Sequence, residues 1–554
     1  MVDKIWLDQY PKGVPAEADV TAYDSIKQIF EESVGKYRDL PAFSNMGASI
    51  SYAELDQQSR YFAAYLQKVL GLQKGDKVAI MAPNCLQYPV VLFGILRAGL
   101  TVVNVNPLYT ARELEHQLKD SGARAIVIVE NFCNTLQKVL DKTEVRTVIT
   151  TRLGDMLGFP KRPLVNFVVK RIKKMVPDWD VPGAVTLDKT LNEGKWQTLD
   201  DVSLTREDIA FLQYTGGTTG LAKGAVLTHG NMVANMQQAT AWLGDEVVEA
   251  DEKIVTALPL YHIFSLTANC LVFLRLGGEN LLITNPRDIP TFVKTLKNSG
   301  FTAITGVNTL FNALLNAPGF EDVDFSRLKL TLGGGMAVQR SVAERWKEVT
   351  GVPLLEAYGL TETSPAVTIN PFDQEEFSGS IGLPIPNTEV VVLDENDKPL
   401  PIGEVGELAV RGPQVMPEYY NRPEETAKVF TEDGFFKTGD MAKMDDKGYV
   451  YIVDRKKDMI NVSGFNVYPN EIEEVVSAMD KVLEAGAVGI PDEKSGEVVK
   501  LVVVKKDDSL TEKEILDYCR ENLTGYKVPK KIVFTDELPK TNVGKILRRE
   551  LRDD

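Results

Sequence analysis

YTGGTTGLAKG, residues 214–224, sets Gly216, Gly217 and Gly220 among Thr215, Thr218 and Thr219, and closes on Lys223 and Gly224. Residues without Cβ let the backbone curl until successive N–H groups face one concavity, which suits an anion. The threonine hydroxyls add short donors and Lys223 adds a mobile positive charge. In residue types, this is a cradle for a polyphosphate. It is not a Walker loop, because Lys223 is followed by Gly224 instead of Ser or Thr, and no GxGxxG dinucleotide turn occurs in it. Taken alone, the stretch also reads as a Gly/Thr surface loop, so the decision passes to the rest of the chain.

At 554 residues the chain exceeds what one core accommodates, and two or more domains are expected. A hydrophobic fraction of 44% with 25% charged residues is that of a soluble globular protein. The net charge of −16 argues against a general nucleic-acid binder, which needs a basic surface. Cys85, Cys133, Cys270 and Cys519 form no CxxC pair, and with only three histidines there is neither a zinc site nor a disulfide framework, as expected of a reducing cytoplasm. The N-terminus has no apolar run behind a basic start, so a signal peptide is not expected. Residues 253–275 carry no formal charge between Lys253 and Arg275, but Pro259, His262, Ser265, Thr267 and Asn269 make a buried strand, turn and helix the better reading than a membrane span.

Strand-like runs at Val78–Pro83, Leu100–Pro107 and Ala123–Val129 alternate with helical patterns at Pro89–Ala98 and after Thr110, where Thr110 and Glu113 form a capping box. The alternation predicts parallel sheets covered on both faces. Residues 161–174, KRPLVNFVVKRIKK, combine six basic residues with apolar ones and no acid, a reversal of sign in an acidic chain. The stretch reads equally as a solvated helix on the body or as a contact with anionic membrane. From Thr388 the rhythm changes to short strands and turns, typical of antiparallel hairpins or a small barrel. A compact α+β module follows the charged DRKKD run near Asp454.

Several polar residues fall in loops after strands, where α/β folds collect ligands. Glu362, beside Thr361 and Thr363, has the chemistry to hold Mg²⁺ together with substrate phosphates, or is a turn glutamate. Tyr358 offers a flat face to a base, and Gly333–Gly335 permit close approach. Asp440 after a tight Gly turn could accept from both hydroxyls of a ribose, with Arg455 adding a contact, or could cap a turn. Lys545 could meet the negative charge of a carboxylate attacking a phosphate, or belong to a solvated basic tail.

Together and in this order, YTGGTTGLAKG, YGLTETSP (358–365), DGFFKTGD (433–440), DRKKDMINVSGFNVYPNEIE (454–473) and PKTNVGKILRREL (539–551) resemble the adenylate-forming superfamily, and within it bacterial long-chain fatty-acid–CoA ligases. The resemblance spans about Tyr23 to Arg552. It implies an α/β fold: a large N-terminal domain of two α/β lobes plus a β-barrel (1–453), and a small mobile α+β C-terminal domain (454–554). It implies that fatty acid and Mg-ATP give acyl-AMP and pyrophosphate, after which CoA takes the acyl group and AMP leaves. Thr215, Gly216, Gly217, Thr218, Thr219, Gly220 and Lys223 would take the phosphates, Thr361 would join them, and Glu362 would hold the magnesium. Gly334, Gly335, Glu356, Ala357 and Tyr358 would surround adenine, and Asp440 and Arg455 the ribose. Lys545 would serve adenylation only, with Asp454 as the hinge. His262 would border the acyl carboxylate and Gly464 the CoA channel.

VMPEYYNRPEE (415–425) departs from the family pattern, with Pro417-Glu418 in place of a Gly-containing turn and Tyr420 in place of a frequent tryptophan. No tryptophan gate follows YHIF (261–264), so chain-length preference stays open, and a ligase for a medium-chain or aromatic acid is the alternative. A non-catalytic acyl- or nucleotide-binding protein would be expected to lack Glu362 or Lys545; a phosphotransferase would form ADP. The expected location is cytoplasmic, peripheral on the inner membrane face if 161–174 engages lipid. Oligomeric state is open, a homodimer being one arrangement.

Overall fold

The computed structural model describes residues 4–215, 222–492, 494–541 and 544–552. Two large sheets form the body. One has seven strands in the order Val185–Thr186, Thr147–Thr151, Ala125–Val129, Lys77–Met81, Thr101–Asn104, Ile209–Thr215 and Lys223–Thr228. All its pairs are parallel except the last, a hairpin in which Thr215 lies opposite Lys223. The other has nine strands, with Leu355–Gly359, Leu330–Gly334, Ala303–Gly306, Lys253–Thr256 and Glu279–Leu282 parallel at its centre. The strands Ala125–Val129 and Thr101–Asn104 are buried at every position, which is why they read as continuous apolar runs instead of alternating ones.

Helices whose limits are written in the sequence cover these sheets. Thr110 and Glu113 close both arms of a capping box on the helix Ala111–Ser121, and Thr228 with Asn231 does the same for His229–Leu243. The charge-free window is buried as expected: the strand Lys253–Thr256, then a wide turn of π-helix over Ser265–Leu271 running into Val272–Arg275. Among the described residues no helix is long and apolar enough to cross a membrane.

Where the sequence predicts antiparallel hairpins or a small barrel, residues 389–455 form a four-stranded antiparallel meander: Glu389–Leu393, Gly406–Arg411, Phe436–Met444 and Val450–Arg455. Hairpin patterning specifies such pairing between neighbours along the chain. The meander packs on Trp6, Trp242, Leu383 and Ile385. A separate apolar core follows, built from Ile460, Ile472, Val476, Leu501, Ile515 and their neighbours under a five-stranded sheet. The helix predicted after Pro469 spans Pro469–Ser477 and buries Ile472 and Val476. The last strand of the meander ends at Arg455, so the charged run begins in that strand and continues into a turn.

Candidate active site

The C-terminal ends of the nine-stranded sheet, the tip of the meander and the C-terminal segment close around one cleft of about 2020 Å³. Parallel register sets Gly333 against Glu356 and Gly334 against Ala357, so the residues expected around adenine lie side by side on adjacent strands. A Cβ on Gly334 would stand 3.0 Å from the Phe264 ring and 3.1 Å from the Ala357 carbonyl oxygen, so a side chain here would have to push ring or strand aside by a few tenths of an ångström. Glu356 is buried; Oε1 accepts from the Val338 N–H at 3.0 Å, while Oε2 has no partner among the described residues. Burial pushes its carboxyl up to about 8, which leaves it protonated at neutral pH.

Asp440 is held in the cleft by two side chains. Tyr358 donates its hydroxyl to Oδ2 at 2.5 Å, and Arg455 Nε lies 2.7 Å from Oδ1. Both expected ribose contacts are therefore present, but they are bound to each other. Sequence reasoning placed Tyr358 as a flat face and missed its phenol as the second anchor of Asp440.

Thr361 and Glu362 occupy a tight 3₁₀ turn, Thr361–Thr363, that lines the cleft. The turn is tied from two sides: Met416 N–H donates to the Glu362 carbonyl oxygen at 2.7 Å, and Thr267 donates to the Ser364 carbonyl oxygen at 2.8 Å. Glu362 is buried, and Tyr419 donates its hydroxyl to Glu362 Oε1 at 2.6 Å. No group of three or more His, Cys, Asp or Glu positioned to hold a metal occurs among the described residues. A divalent ion here would rest on the free oxygen of Glu362 and on substrate oxygens, the usual way Mg²⁺ is held.

His262 and Lys545 face the same cavity. His262 Nδ1 accepts from the Phe264 N–H at 3.3 Å, which leaves the proton on Nε2. Burial, with the nearby Lys545 charge, pushes this imidazole down to about 3, so it is neutral at physiological pH. Lys545 is not in a solvated tail. Gly544 ahead of it accepts from Thr309 at 3.1 Å, and the Lys545 N–H donates to Thr541 Oγ1 at 3.1 Å. Its side chain passes Gly335, where an added Cβ would lie 3.3 Å from Lys545 Cε. Burial, with Arg455 adding repulsion, lowers its ammonium to about 8, while Asp440 and Glu362 pull the other way.

Gly216, Gly217, Thr218, Thr219 and Gly220 lie outside the described residues; their flanks, Thr215 and Lys223, open into the cleft. Gly464 is not brought to the cleft. It turns the exposed hairpin between Ile460–Val462 and Phe465–Val467, with φ of 86°. Asp454 is fully buried, and Arg548 neutralises it at 2.9 Å. The same guanidinium reaches Glu473 at 2.8 Å and Asn470 at 2.5 Å. No local signal marks Arg548, because its partners lie 75 and 94 residues away.

A cleft that joins the facing ends of a strand pair at Thr215 and Lys223, a buried carboxylate turn and a lysine from a separate C-terminal core is the arrangement of an acyl-adenylate-forming enzyme. The chain belongs to this family: the AMP-binding enzyme model matches residues 30–420, and that of the AMP-binding enzyme C-terminal domain matches 471–545. Among its relatives is the long-chain-fatty-acid–CoA ligase of Escherichia coli O6:H1, 60% identical over 551 residues, covering 100% of this chain and 98% of that protein. The long-chain-fatty-acid–CoA ligase of Haemophilus influenzae is 56% identical over 556 residues, with 100% and 99% covered. Among solved structures, ATP-bound MatB from Rhodopseudomonas palustris superposes with a TM-score of 0.80 at 29% identity, covering 95% of this chain and 98% of that one.

Arg548→Ala would strand the buried Asp454 carboxylate without its cation. Loss of about 3 kcal/mol of stability is expected, read as an earlier unfolding step in calorimetry of the full chain, with Arg548→Lys intermediate.

Proposed function

We infer that this chain is a long-chain fatty-acid–CoA ligase, which activates a fatty acid with ATP to acyl-AMP, releases pyrophosphate, and passes the acyl group to CoA with release of AMP. The observation that carries the reading is the convergence of Lys545, His262, Glu362 and Asp440 on one cleft. Thr215 and Lys223, with the loop between them, and Thr361 would take the phosphates. Gly334, Gly335, Glu356, Ala357 and Tyr358 would enclose adenine, with the unpaired Glu356 Oε2 able to answer a base nitrogen. Asp440 would accept the ribose hydroxyls, and Arg455 would steady it. Glu362 would hold Mg²⁺, which supplies charge neutralisation on the phosphates. His262, neutral, would donate from Nε2 to the carboxylate of the acid, while the Lys545 ammonium stabilises charge gathered at the α-phosphate.

Residues 454–554 would form the turning domain with Asp454 as hinge. The attack that expels pyrophosphate and the entry of a bulky thiol make opposed demands on one site, and withdrawal of Lys545 would answer both. Gly464 would reach the CoA channel only after such a turn.

The acyl chain has a path of its own. Asn235, Ala239 and Leu243, spaced four apart on one helix face, line the cavity, as do Gly334, Leu332 and Leu330 along one strand face. Asn235 is bonded both ways to the backbone of Ala366 near the catalytic turn, at 2.9 and 3.0 Å. Leu243 lies about 12 Å further along the helix. There Ile254, Ala303 and Leu330 stand in register at the starts of their strands. This long apolar bore, with the high full-length identity to long-chain ligases, favours a long-chain acid over a medium-chain or aromatic one.

Residues 161–174 would contact anionic membrane. Phe159, Leu164, Phe167, Ile172 and Met175 are exposed by 91, 60, 57, 61 and 52%, beside the exposed Lys170, Arg171, Lys173 and Lys174.

Given MgATP and a long-chain acid, the wild type should release pyrophosphate and AMP, whereas ADP as product would overturn the reading. Lys545→Ala should lose acyl-AMP formation by about 10²- to 10³-fold yet still transfer supplied acyl-AMP to CoA. Because the ammonium is held below about pH 8 and lost above it, kcat/KM for ATP should fall as pH rises past that point, with no such fall in thioester formation. Ala239→Phe should block the bore midway and shift preference from long to short acids in a chain-length series; an unchanged profile would remove the path. Reversing the charge of Arg171, Lys173 and Lys174 should abolish co-sedimentation with anionic vesicles, since each basic residue near such a surface contributes about 1 kcal/mol.

A further inference from the structure

The turn 415–425, where the sequence departs from the family pattern, does more than cover the cleft. Tyr420 N–H donates to the Gly224 carbonyl oxygen at 2.8 Å, and Val226 N–H to that of Glu418 at 3.0 Å, so the turn is fastened to the strand that begins at Lys223. This fastening places two side chains on the Lys223 ammonium. Nζ stands 4.5 Å over the Tyr419 ring and 3.2 Å from Glu425 Oε2. Glu425 keeps a second partner, Lys428, at 2.5 Å from its other oxygen.

Lys223 is therefore already neutralised by a carboxylate of the protein. A triphosphate arriving at this position must take the ammonium from Glu425, and Glu425, still paired with Lys428, is not left alone when that happens. We propose that Glu425 is a competing counter-ion for Lys223, a positioning residue that weakens the hold on ATP and eases departure of pyrophosphate. Tyr419 keeps the ammonium over its ring during the exchange while its hydroxyl holds Glu362. The inference rests on Lys223 being a phosphate ligand, and its test separates the two.

The measurement is equilibrium binding of MgATP to the full chain. Glu425→Gln should bind ATP about two- to fivefold more tightly, the range open to a half-exposed ion pair. Glu425→Asp, which keeps the charge, should stay near the wild type. Glu424→Gln removes an equal charge from the neighbouring residue, which makes no ion pair with Lys223, and should leave affinity unchanged. Lys223→Ala should weaken binding by about tenfold or more. Unchanged or weaker binding by Glu425→Gln, with Lys223→Ala impaired, would overturn the counter-ion role and leave Lys223 a phosphate ligand. Equal tightening by Glu424→Gln would reduce the effect to the general field and overturn it as well. Unaltered binding by Lys223→Ala would overturn both readings.

Discussion

Asp440 ties together two parts of the molecule that are remote in sequence. Its own strand and that of Arg455 are neighbours in the meander, where the two residues stand in register, and Tyr358 reaches it from the end of the nine-stranded sheet. The carboxylate is buried, and these donors stand in for the water it has lost. Its charge also supports Lys545, whose ammonium loses more to burial and to Arg455 than Asp440 and Glu362 restore. The cleft is thus a balance of buried charges in which each cation has an acid in view.

The balance explains how a lysine from a separate core can be buried in the cleft. Lys545 is delivered by a segment that touches the body through Thr309 and Gly335, while Arg548 ties Asp454 to Asn470 and Glu473 three residues further on. One short C-terminal run therefore carries both the cation proposed for the chemistry and the clamp on Asp454. His262 completes the picture from the other wall. Kept neutral by burial and by Lys545, it can donate a hydrogen bond without adding a third positive charge.

At the mouth, the structure gives the unusual turn 415–425 a role that its sequence only hinted at. Tyr419 joins the carboxylate expected to hold magnesium to the lysine expected to hold phosphate, and Glu425 gives that lysine a second partner. Along the proposed bore the constraint would be steric. The small Ala239 sits between Asn235 and Leu243 on the cavity wall, and chain length would be read against the aliphatic residues where the strands begin.

Local and periodic features were legible in the sequence. The capping boxes at Thr110, Thr228 and Thr511, the fully buried strands and the helix after Pro469 all follow from interactions within a few residues, which short-range patterns encode directly. The motifs that carry Glu362, Asp440 and Lys545 were legible too, because glycines and threonines beside them mark each stretch, although Asp440 itself lies inside the strand Phe436–Met444. What a partner's side chain does was not legible. Tyr358 binding Asp440, Arg548 neutralising Asp454 and Tyr419 holding Glu362 all depend on contacts between distant segments. Burial, which decides the charge of Glu356, His262 and Lys545, exists only after those segments have met; a sequence names the acids and bases, and the fold sets how they ionise.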